Sequence, residues 1–565
     1  MKTPIFLLTI STIINITNLQ ASLYNKNALI HPIISQKHMI SSQEKHATKA
    51  GLKTLKKGGN AIDAALSVAY SLSVTLPEAG NLCGGGFMLI YIKDENQTYA
   101  LDFREKAPLL ATETLFQNKD GTVNKEKSRN SIHAVGVPGT IKGLDLAWKK
   151  FGSLPLKTCL KPAINLAKNG FPVSMRLHEH LDQAKNEFLK KNTPPLAFYP
   201  NQQTIKVDEI LKQPHLAKSL QHIAKKGESA FYNGPLGKKL ITFMKNNNGL
   251  ITQKDLQKYQ AKFRKPITGT YKNHQIISMP PPSSGGIHLI QMLNAFEQTP
   301  SINQKGFHHP DHIETLINAM RIAYQDRAAY LGDSDFVDIP KNLTNKNYIK
   351  KRLKNPIPSK NTPIPKQEST ETTHFTIVDQ QGNIVSCTLT LNFRFGNKMI
   401  VPETGMILNN EMDDFSAKPG SQNAYGLVGS IANKIEPEKR MLSSMTPTIV
   451  FKNNQPFLAT GTPGGSRIIS MIFQQIINII DYDMNLAEAI AAPRIHYQWK
   501  PDILFLEKGI SPLTQSILKQ KSYNIKKSRA AGSIQAIMIK DKTLFGFSDP
   551  RSPDGLTAST KSPSL

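Results

Sequence analysis

Thr372 opens the run Thr372-Thr373-His374-Phe375-Thr376-Ile377-Val378-Asp379, and the chain changes character there. Before it, Lys350 to Glu371 is rich in Lys, Pro and Ser and has no apolar periodicity. After it a β-rich run begins at once. A break in the chain before Thr372 would leave one residue carrying both a hydroxyl and a free α-amino group. A hydroxyl attacks a carbonyl carbon well only when a base takes its proton, and threonine with its own terminal amine is one such pair. That amine titrates at roughly 7.7–8.0, so near neutrality a useful fraction is basic. Read alone, Thr-Thr also simply starts a strand, which is the plainer reading of these two residues.

If Thr372 is the nucleophile, its strand turns over Asp379-Gln380-Gln381-Gly382-Asn383 and returns through Ile384 to Asn392. The far end of the second strand then lies beside Thr372. Thr390 and Asn392 are two residues apart and share one strand face. Thr390 would orient the attacking hydroxyl and Asn392 would bind a polar substrate group; an ordinary strand end reads the same way. Acyl transfer also needs donors for a developing oxyanion. Gly464-Gly465 precedes a helical run, which offers backbone N–H groups with a helix dipole behind them. A tight turn would need those glycines too, and both roles can hold together. Asn409-Asn410-Glu411-Met412-Asp413-Asp414-Phe415 is a dense acidic cluster, suited to an ammonium group, a metal or solvent. Calcium loops need other spacing, so no metal is expected. Arg104 and Ser443-Ser444 offer a cation and donors for a carboxylate. Together these would hold a zwitterion; as separate surface features they would hold nothing.

The elements that must position these residues are legible in outline. Glu44 to Lys57 has helical spacing and stops at Gly58-Gly59-Asn60; Ala61 to Tyr70 reads as a second helix, rich in small residues. Gly80 to Gly86 is a glycine-rich turn into a strand over Phe87 to Ile92, paired with Thr98 to Phe103. It lacks the features of a phosphate loop, so its glycines are expected to permit close backbone packing. Residues 140–330 read as mainly helical, with Ile141 to Lys150, Ala163 to Asn169 and Ile313 to Tyr330 as examples, and with Met279 to Gly286 as a loop. Strands are expected near Met406 to Leu408, Thr448 to Phe451, Phe457 to Thr460, Ile534 to Lys540 and Leu544 to Phe547. Helices are expected over Arg467 to Ile480 and Asn485 to Ala492. Blocks of strands alternating with blocks of helices suggest a layered α+β sandwich.

The chain has 565 residues, 39% hydrophobic and 20% charged, enough for a large core or two domains. Lys2, the mostly apolar Ile5 to Ile16 and Leu19-Gln20-Ala21 read as an export signal, residues 1–21, with an uncleaved interfacial anchor as the rival. No other stretch is long and apolar enough to span a bilayer. Three cysteines, Cys83, Cys159 and Cys387, do not make a disulfide framework or a zinc site, and Cys83 and Cys387 sit in runs that read as core. Seventy basic and 42 acidic residues give a net charge of +28. The excess is dispersed lysine in short clusters such as Lys190-Lys191, with no nucleic-acid signature, so a solvated basic surface is expected.

Several runs, in one order, resemble the bacterial γ-glutamyltranspeptidase family. They are Pro77-Glu78-Ala79-Gly80-Asn81, Asp102 to Pro108, Met279 to Gly286, Thr372-Thr373-His374, Asn409 to Phe415, Ser443-Ser444-Met445-Thr446-Pro447, Pro463 to Arg467 and Ser548-Asp549-Pro550-Arg551. The resemblance implies an N-terminal-nucleophile hydrolase fold, a four-layer αββα sandwich. It implies a precursor that cuts itself between Glu371 and Thr372 into a large subunit, 22–371, with a processing linker at about 350–371, and a small subunit, 372–565. It implies that Thr372 attacks the γ-carbonyl of glutathione or another γ-glutamyl compound without a cofactor, and passes the acyl group to water or an amino acid or peptide acceptor. By the same likeness Thr390 supports Thr372, and Gly464 and Gly465 form the oxyanion hole. Arg104, Ser443 and Ser444 hold the α-carboxylate; Asn392, Glu411 and Asp414 hold the α-amino group. Gly420 to Asn433, with Tyr425, resembles the family's lid loop. The sequence departs from many members at Cys83, Phe393-Arg394 and Glu411. A glutaryl-β-lactam acylase of the same fold and a non-catalytic basic envelope-binding protein are the alternatives. The resemblance and the leader together place the protein outside the cytoplasm, in the periplasm or secreted.

Overall fold

The computed structural model describes residues 28–299, 302–355, 371–529 and 531–560. The signal-like segment 1–21 and most of the linker 350–371 lie outside the described residues. The linker's first residues do not begin irregular chain; they close the helix Lys346–Lys354.

Alternation along the strands builds the molecule. In Thr372–Val378 the side chains of Phe375 and Ile377 join one apolar cluster while Val378 joins another. In Ile384–Thr390 the same split separates Val385, Cys387 and Leu389 from Ile384. Each strand is therefore buried on both faces, which requires a layer above and a layer below. One seven-stranded sheet runs, edge to edge, Leu556–Ala558, Met39–Ser42, Thr372–Val378, Ile384–Thr390, Gly85–Ile92, Gln97–Asp102, Lys262–Arg264. The second runs Ile33–Ser35, Thr543–Ser548, Gln535–Lys540, Gln455–Gly461, Thr448–Lys452, His274–Ser278, Ile267–Tyr271. Neighbours in both sheets are antiparallel.

The sheets face each other across Phe87, Leu89 and Tyr91 from one, and Ile277, Ile449, Phe451, Ala459 and Ile537 from the other. The helices Lys45–Leu55, Ala61–Thr75 and Leu156–Asn169 cover the outer face of the first sheet. Gly285–Glu297, Pro310–Tyr330 and Ile468–Asp481 cover the second. The result is the expected αββα sandwich. Helix starts follow local chemistry: Asn60 and Asp63 form a reciprocal capping box on Ala61–Thr75, and Asn485 and Glu488 form one on Leu486–Ala491. The three cysteines are free and buried. No helix among the described residues is long and apolar enough to cross a membrane.

The block 140–330 is less uniformly helical than its pattern suggests. Five strands lie inside it: the short pair Phe171–Pro172 and Ile210–Leu211, and Lys262–Arg264, Ile267–Tyr271 and His274–Ser278, the last two joined by a tight turn with Lys272 at φ +49°. Lys262–Arg264 and Ile267–Tyr271 are edge strands of the two large sheets, only partly buried, and their apolar alternation is weak. Pro162 lies inside Leu156–Asn169, so the readable helical pattern covered only its second half.

Candidate active site

The register that the hairpin predicts is the one observed: Thr372 lies opposite Thr390. Even-numbered residues of Thr372–Val378 point between the sheets, and there the interface turns polar. His374 Nδ1 lies 2.8 Å from Thr388 Oγ1, and Thr376 Oγ1 donates to the Gln535 carbonyl at 2.8 Å. Burial pushes the His374 imidazole down to about 3, so it is a neutral, structural histidine and not a charged base. The Thr372 hydroxyl donates to Thr390 Oγ1 at 3.4 Å. Thr390's strand is pressed against the glycine run: a Cβ on Gly84 would fall 2.1 Å from the Thr390 carbonyl oxygen, and one on Gly86 would fall 2.2 Å from that of Thr388. Close packing is thus what the glycines permit.

Asn392 reaches the site by a different route from the one strand alternation suggests. The strand ends at Thr390, and Asn392 is left-handed, at φ +76°, a conformation asparagine tolerates better than most residues. Its backbone N–H donates to Thr390 Oγ1 at 2.8 Å and its side-chain amide donates to the Asn410 carbonyl at 3.0 Å. Its side-chain oxygen accepts from the Tyr425 hydroxyl at 2.7 Å.

One pocket is lined by Thr372, Thr390, Asn392, Arg104, Glu411, Asp414, Ser443, Ser444 and Gly465, so nine of the ten expected site residues meet there. The tenth, Gly464, is adjacent and starts the turn. Gly464 and Gly465 have φ +142° and +57°, and Gly465–Arg467 leads into Ile468–Asp481. A Cβ on Gly464 would strike Met471 at 2.4 Å and one on Gly465 would strike the Tyr425 ring at 2.6 Å. Backbone conformation and close approach both demand glycine here, and the following helix places a dipole behind their N–H groups.

The ionic half of the pocket is self-paired. Arg104, 1% exposed, donates from Nη1 to Glu411 Oε2 at 2.7 Å and from Nη2 to Asp414 Oδ2 at 2.6 Å. The arginine and the acids, expected to take opposite ends of a ligand, bind one another. Burial pushes Glu411 up to about 7 against the pull of Arg104. Asp414 is raised for the same reason. Asp413 is not in the pocket; it takes a hydrogen bond from Ser128 at 2.6 Å.

Arg327 is the residue the sequence did not disclose. It lines the pocket from the helix Pro310–Tyr330, 5% exposed. Its guanidinium donates to two hydroxyls, Ser284 Oγ at 3.2 Å and Ser444 Oγ at 3.3 Å. Burial lowers it to about 10, so it remains a cation at neutral pH. Arg327 is therefore a buried positive charge held by neutral partners, well suited to a carboxylate. The available signal was a charged pair, Asp326-Arg327, inside a helix that reads as amphipathic.

Tyr425 closes the pocket from the segment Gly420 to Asn433. Its hydroxyl holds Asn392, its ring stands edge-on to Phe393 at 5.8 Å between centroids, and Gln498 donates to its carbonyl at 2.9 Å.

Residues 47–559 match the family model described as Gamma-glutamyltranspeptidase. The chain is 46% identical over 544 residues to the glutathione hydrolase proenzyme of Escherichia coli strain K12, covering 94% of this chain and 93% of that protein. Its fold is similar to the crystal structure of a cephalosporin acylase from Bacillus halodurans, with TM-score 0.83 and 25% identity over 97% of this chain and 100% of that one. It is also similar to a crystal structure of Helicobacter pylori gamma-glutamyltranspeptidase, with TM-score 0.53 and 42% identity over 56% of this chain and 91% of that one. The sandwich is that of an N-terminal-nucleophile hydrolase, and the chain belongs to the gamma-glutamyltranspeptidase family.

Proposed function

We propose that this protein is a self-cleaving γ-glutamyltranspeptidase and glutathione hydrolase whose nucleophile is Thr372. Cleavage between Glu371 and Thr372 frees the α-amine, which takes the hydroxyl proton as Oγ attacks the γ-carbonyl of a γ-glutamyl amide. The N–H groups of Gly464 and Gly465 receive the developing oxyanion, and Thr390 orients the hydroxyl. The leaving amine takes the proton as the C–N bond breaks. Water or the amine of an amino acid or peptide then resolves the γ-glutamyl ester. Arg104, Arg327, Ser443 and Ser444 face the α-carboxylate; Asn392, Glu411 and Asp414 face the α-ammonium. Tyr425 screens the ester from water.

The observation that carries this reading is one small pocket holding Thr372 together with two arginines and two carboxylates. A zwitterionic head group can exchange its own charges for the Arg104 pairs. A glutaryl chain has no ammonium to set against Glu411 and Asp414, which disfavours the acylase alternative. The direct test compares γ-glutamyl-p-nitroanilide with glutaryl-p-nitroanilide: faster release from the glutaryl compound would reverse the assignment.

The same assay reads two residues. Arg327→Met is expected to raise KM for the γ-glutamyl anilide by about 10-fold to 100-fold, the loss of one charge-assisted hydrogen bond, with kcat changed much less. An unchanged KM would remove Arg327 from carboxylate binding. For pH, Glu411 is protonated below about 7 and then attracts no ammonium. The Thr372 amine is protonated below roughly 8 and then accepts no proton. Both losses lower kcat/KM as pH falls, so the acid limb has a slope near two. Glu411→Gln, neutral at every pH, is expected to lower kcat/KM throughout and to reduce that slope to near one. A limb that keeps its slope would dissociate Glu411 from substrate binding.

The cut fragments, 22–371 and 372–565, stay together on this reading because both sheets mix their strands. Thr372–Val378 lies between Met39–Ser42 and Ile384–Thr390, and Ile384–Thr390 pairs in turn with Gly85–Ile92. Export to the periplasm or medium belongs to the same proposal, on the strength of the leader at residues 1–21.

A further inference from the structure

Glu371, the residue before the nucleophile, is 6% exposed although it is charged and sits at a strand start. Its carboxylate is held on both sides. Arg394 donates to Oε1 from Nη2 at 2.6 Å and from Nε at 3.2 Å, and Arg176 Nη2 lies 3.5 Å from Oε2. Both arginines are themselves fixed. Arg176 pairs with the fully buried Glu78 at 2.9 Å, and His180 Nδ1 lies 3.1 Å from the same Glu78 oxygen. Arg394 donates from Nη1 to Gln183 Oε1 at 2.9 Å, and the N–H of the next residue, Phe395, donates to the Glu78 carbonyl at 3.0 Å. Arg176, His180 and Gln183 share one face of the helix Met175–Lys191. A rigid helix, the loop after Thr390 and the buried Glu78 thus converge on one side chain.

We propose that Arg394 and Arg176 form a clamp on the Glu371 side chain that positions the Glu371–Thr372 peptide for self-cleavage. The inference rests on cleavage at that bond. In the cut, Thr372 Oγ adds to the Glu371 carbonyl carbon. The hydroxyl proton passes to the Thr372 nitrogen as the C–N bond breaks, leaving an ester and a free amine. Water then splits the ester, restoring the hydroxyl and giving Glu371 a second carboxylate. The hydroxyl and the carbonyl carbon belong to adjacent residues, so attack depends on holding one backbone conformation. Thr372 is fixed on its C-terminal side by the sheet; the clamp fixes the other side of the bond. Arg394 and Arg176 act through Glu371 and touch no substrate, so they are positioning residues.

Glu78, His180 and Glu371 also have ligand atoms within 4.8 Å of one another, a spacing a metal ion accepts. Arg176 already stands between the two carboxylates and supplies the positive charge that an ion would bring.

The test follows maturation of the full chain after synthesis, by intact mass against time, for wild type, Glu371→Gln, Glu371→Ala, Arg394→Ala, Arg394→Lys and Glu371→Ala/Arg394→Ala. Both alanine variants are expected to mature on the order of 10-fold to 100-fold more slowly, as for a reacting pair held about 1 Å out of place. Glu371→Gln and Arg394→Lys should fall between them and wild type. The double variant should be no slower than the slower single, because the two residues act on one contact. Matured Glu371→Ala should match wild type in kcat and KM, and uncut variants should keep the single cooperative melting transition of uncut Thr372→Ala, at a lower temperature for the loss of a buried ion partner. Clamp variants that mature at the wild-type rate, or a double variant whose delays multiply, would overturn the proposal. So would maturation that EDTA stops and zinc restores, which would assign the trio to a metal. Wild type cut at another bond would instead sink the underlying assignment of the scissile peptide.

Discussion

Thr372→Ala is expected to remain one uncut chain and to show no measurable turnover. One residue supplies the attacking atom for the cut, the attacking atom for the substrate and, once freed, the base. Its loss therefore cannot be shared among neighbours. His374, two residues on, is the one imidazole near it in the strand, and burial keeps that ring neutral and bound to Thr388 and Thr376. Removing the nucleophile of an acyl-transfer enzyme costs on the order of 10⁴-fold or more in kcat, and here the base is never released as well. The fold should survive, because the alcohol contributes one long hydrogen bond, 3.4 Å to Thr390. The wild-type light fragment should begin Thr-Thr-His-Phe. Thr372→Ser keeps the hydroxyl and is expected to mature and turn over, more slowly, since it lacks the methyl that restricts the side-chain rotamer. Intact mass and N-terminal sequencing check all three; a Thr372→Ala chain that still splits would end the nucleophile assignment.

The parts of the site that could be read from the sequence were the locally determined ones. The hairpin 372–390 has alternation, a polar turn and a fixed length, so its register put Thr390 opposite Thr372 without further information. Gly464-Gly465 announced itself as a glycine pair before a helical run: Gly464 at φ +142° needs glycine for its backbone, and Gly465 needs it for the close approach of Tyr425. What could not be read was non-local. Arg104 meets Glu411 and Asp414 across more than 300 residues, and no spacing encodes that contact; only likeness to a family grouped them. Even so, grouping by role missed that the arginine and the acids pair with one another. Arg327 escaped because a polar residue in a long helix ordinarily marks the solvent face, whereas this helix is buried all the way round in the turn leading into it, from Ile322 to Asp326. Glu371 escaped because a glutamate in a Lys/Pro/Ser-rich run reads as solvated, whereas its partners, Arg176 and Arg394, come from distant elements.

Arg104→Met is expected to cost stability and activity together, and the stability loss should depend on pH in a definite direction. Removing one member of a buried ion network strands the others, typically at about 3–5 kcal/mol. Here Glu411 and Asp414 lose the cation that opposes their burial, and each can avoid the penalty by keeping a proton. In the unfolded chain both titrate near 4, so as pH rises the unfolded state sheds these protons before the folded variant does. Folding then becomes less favourable with rising pH until the folded carboxyls ionise. Wild type shows the weaker form of this for Glu411, over the interval from its unfolded value up to about 7. Without Arg104 the interval extends higher, so the gap between variant and wild type should be small at pH 5 and several-fold larger at pH 8. Melting temperatures across that range check it. Activity should fall by on the order of 100-fold in kcat/KM, since the α-carboxylate loses one charged partner and the acids are neutral when the ammonium arrives. A gap that is equal at the two pH values would mean that the carboxylates stay ionised without Arg104 and that the pocket's charge is balanced by Arg327 alone.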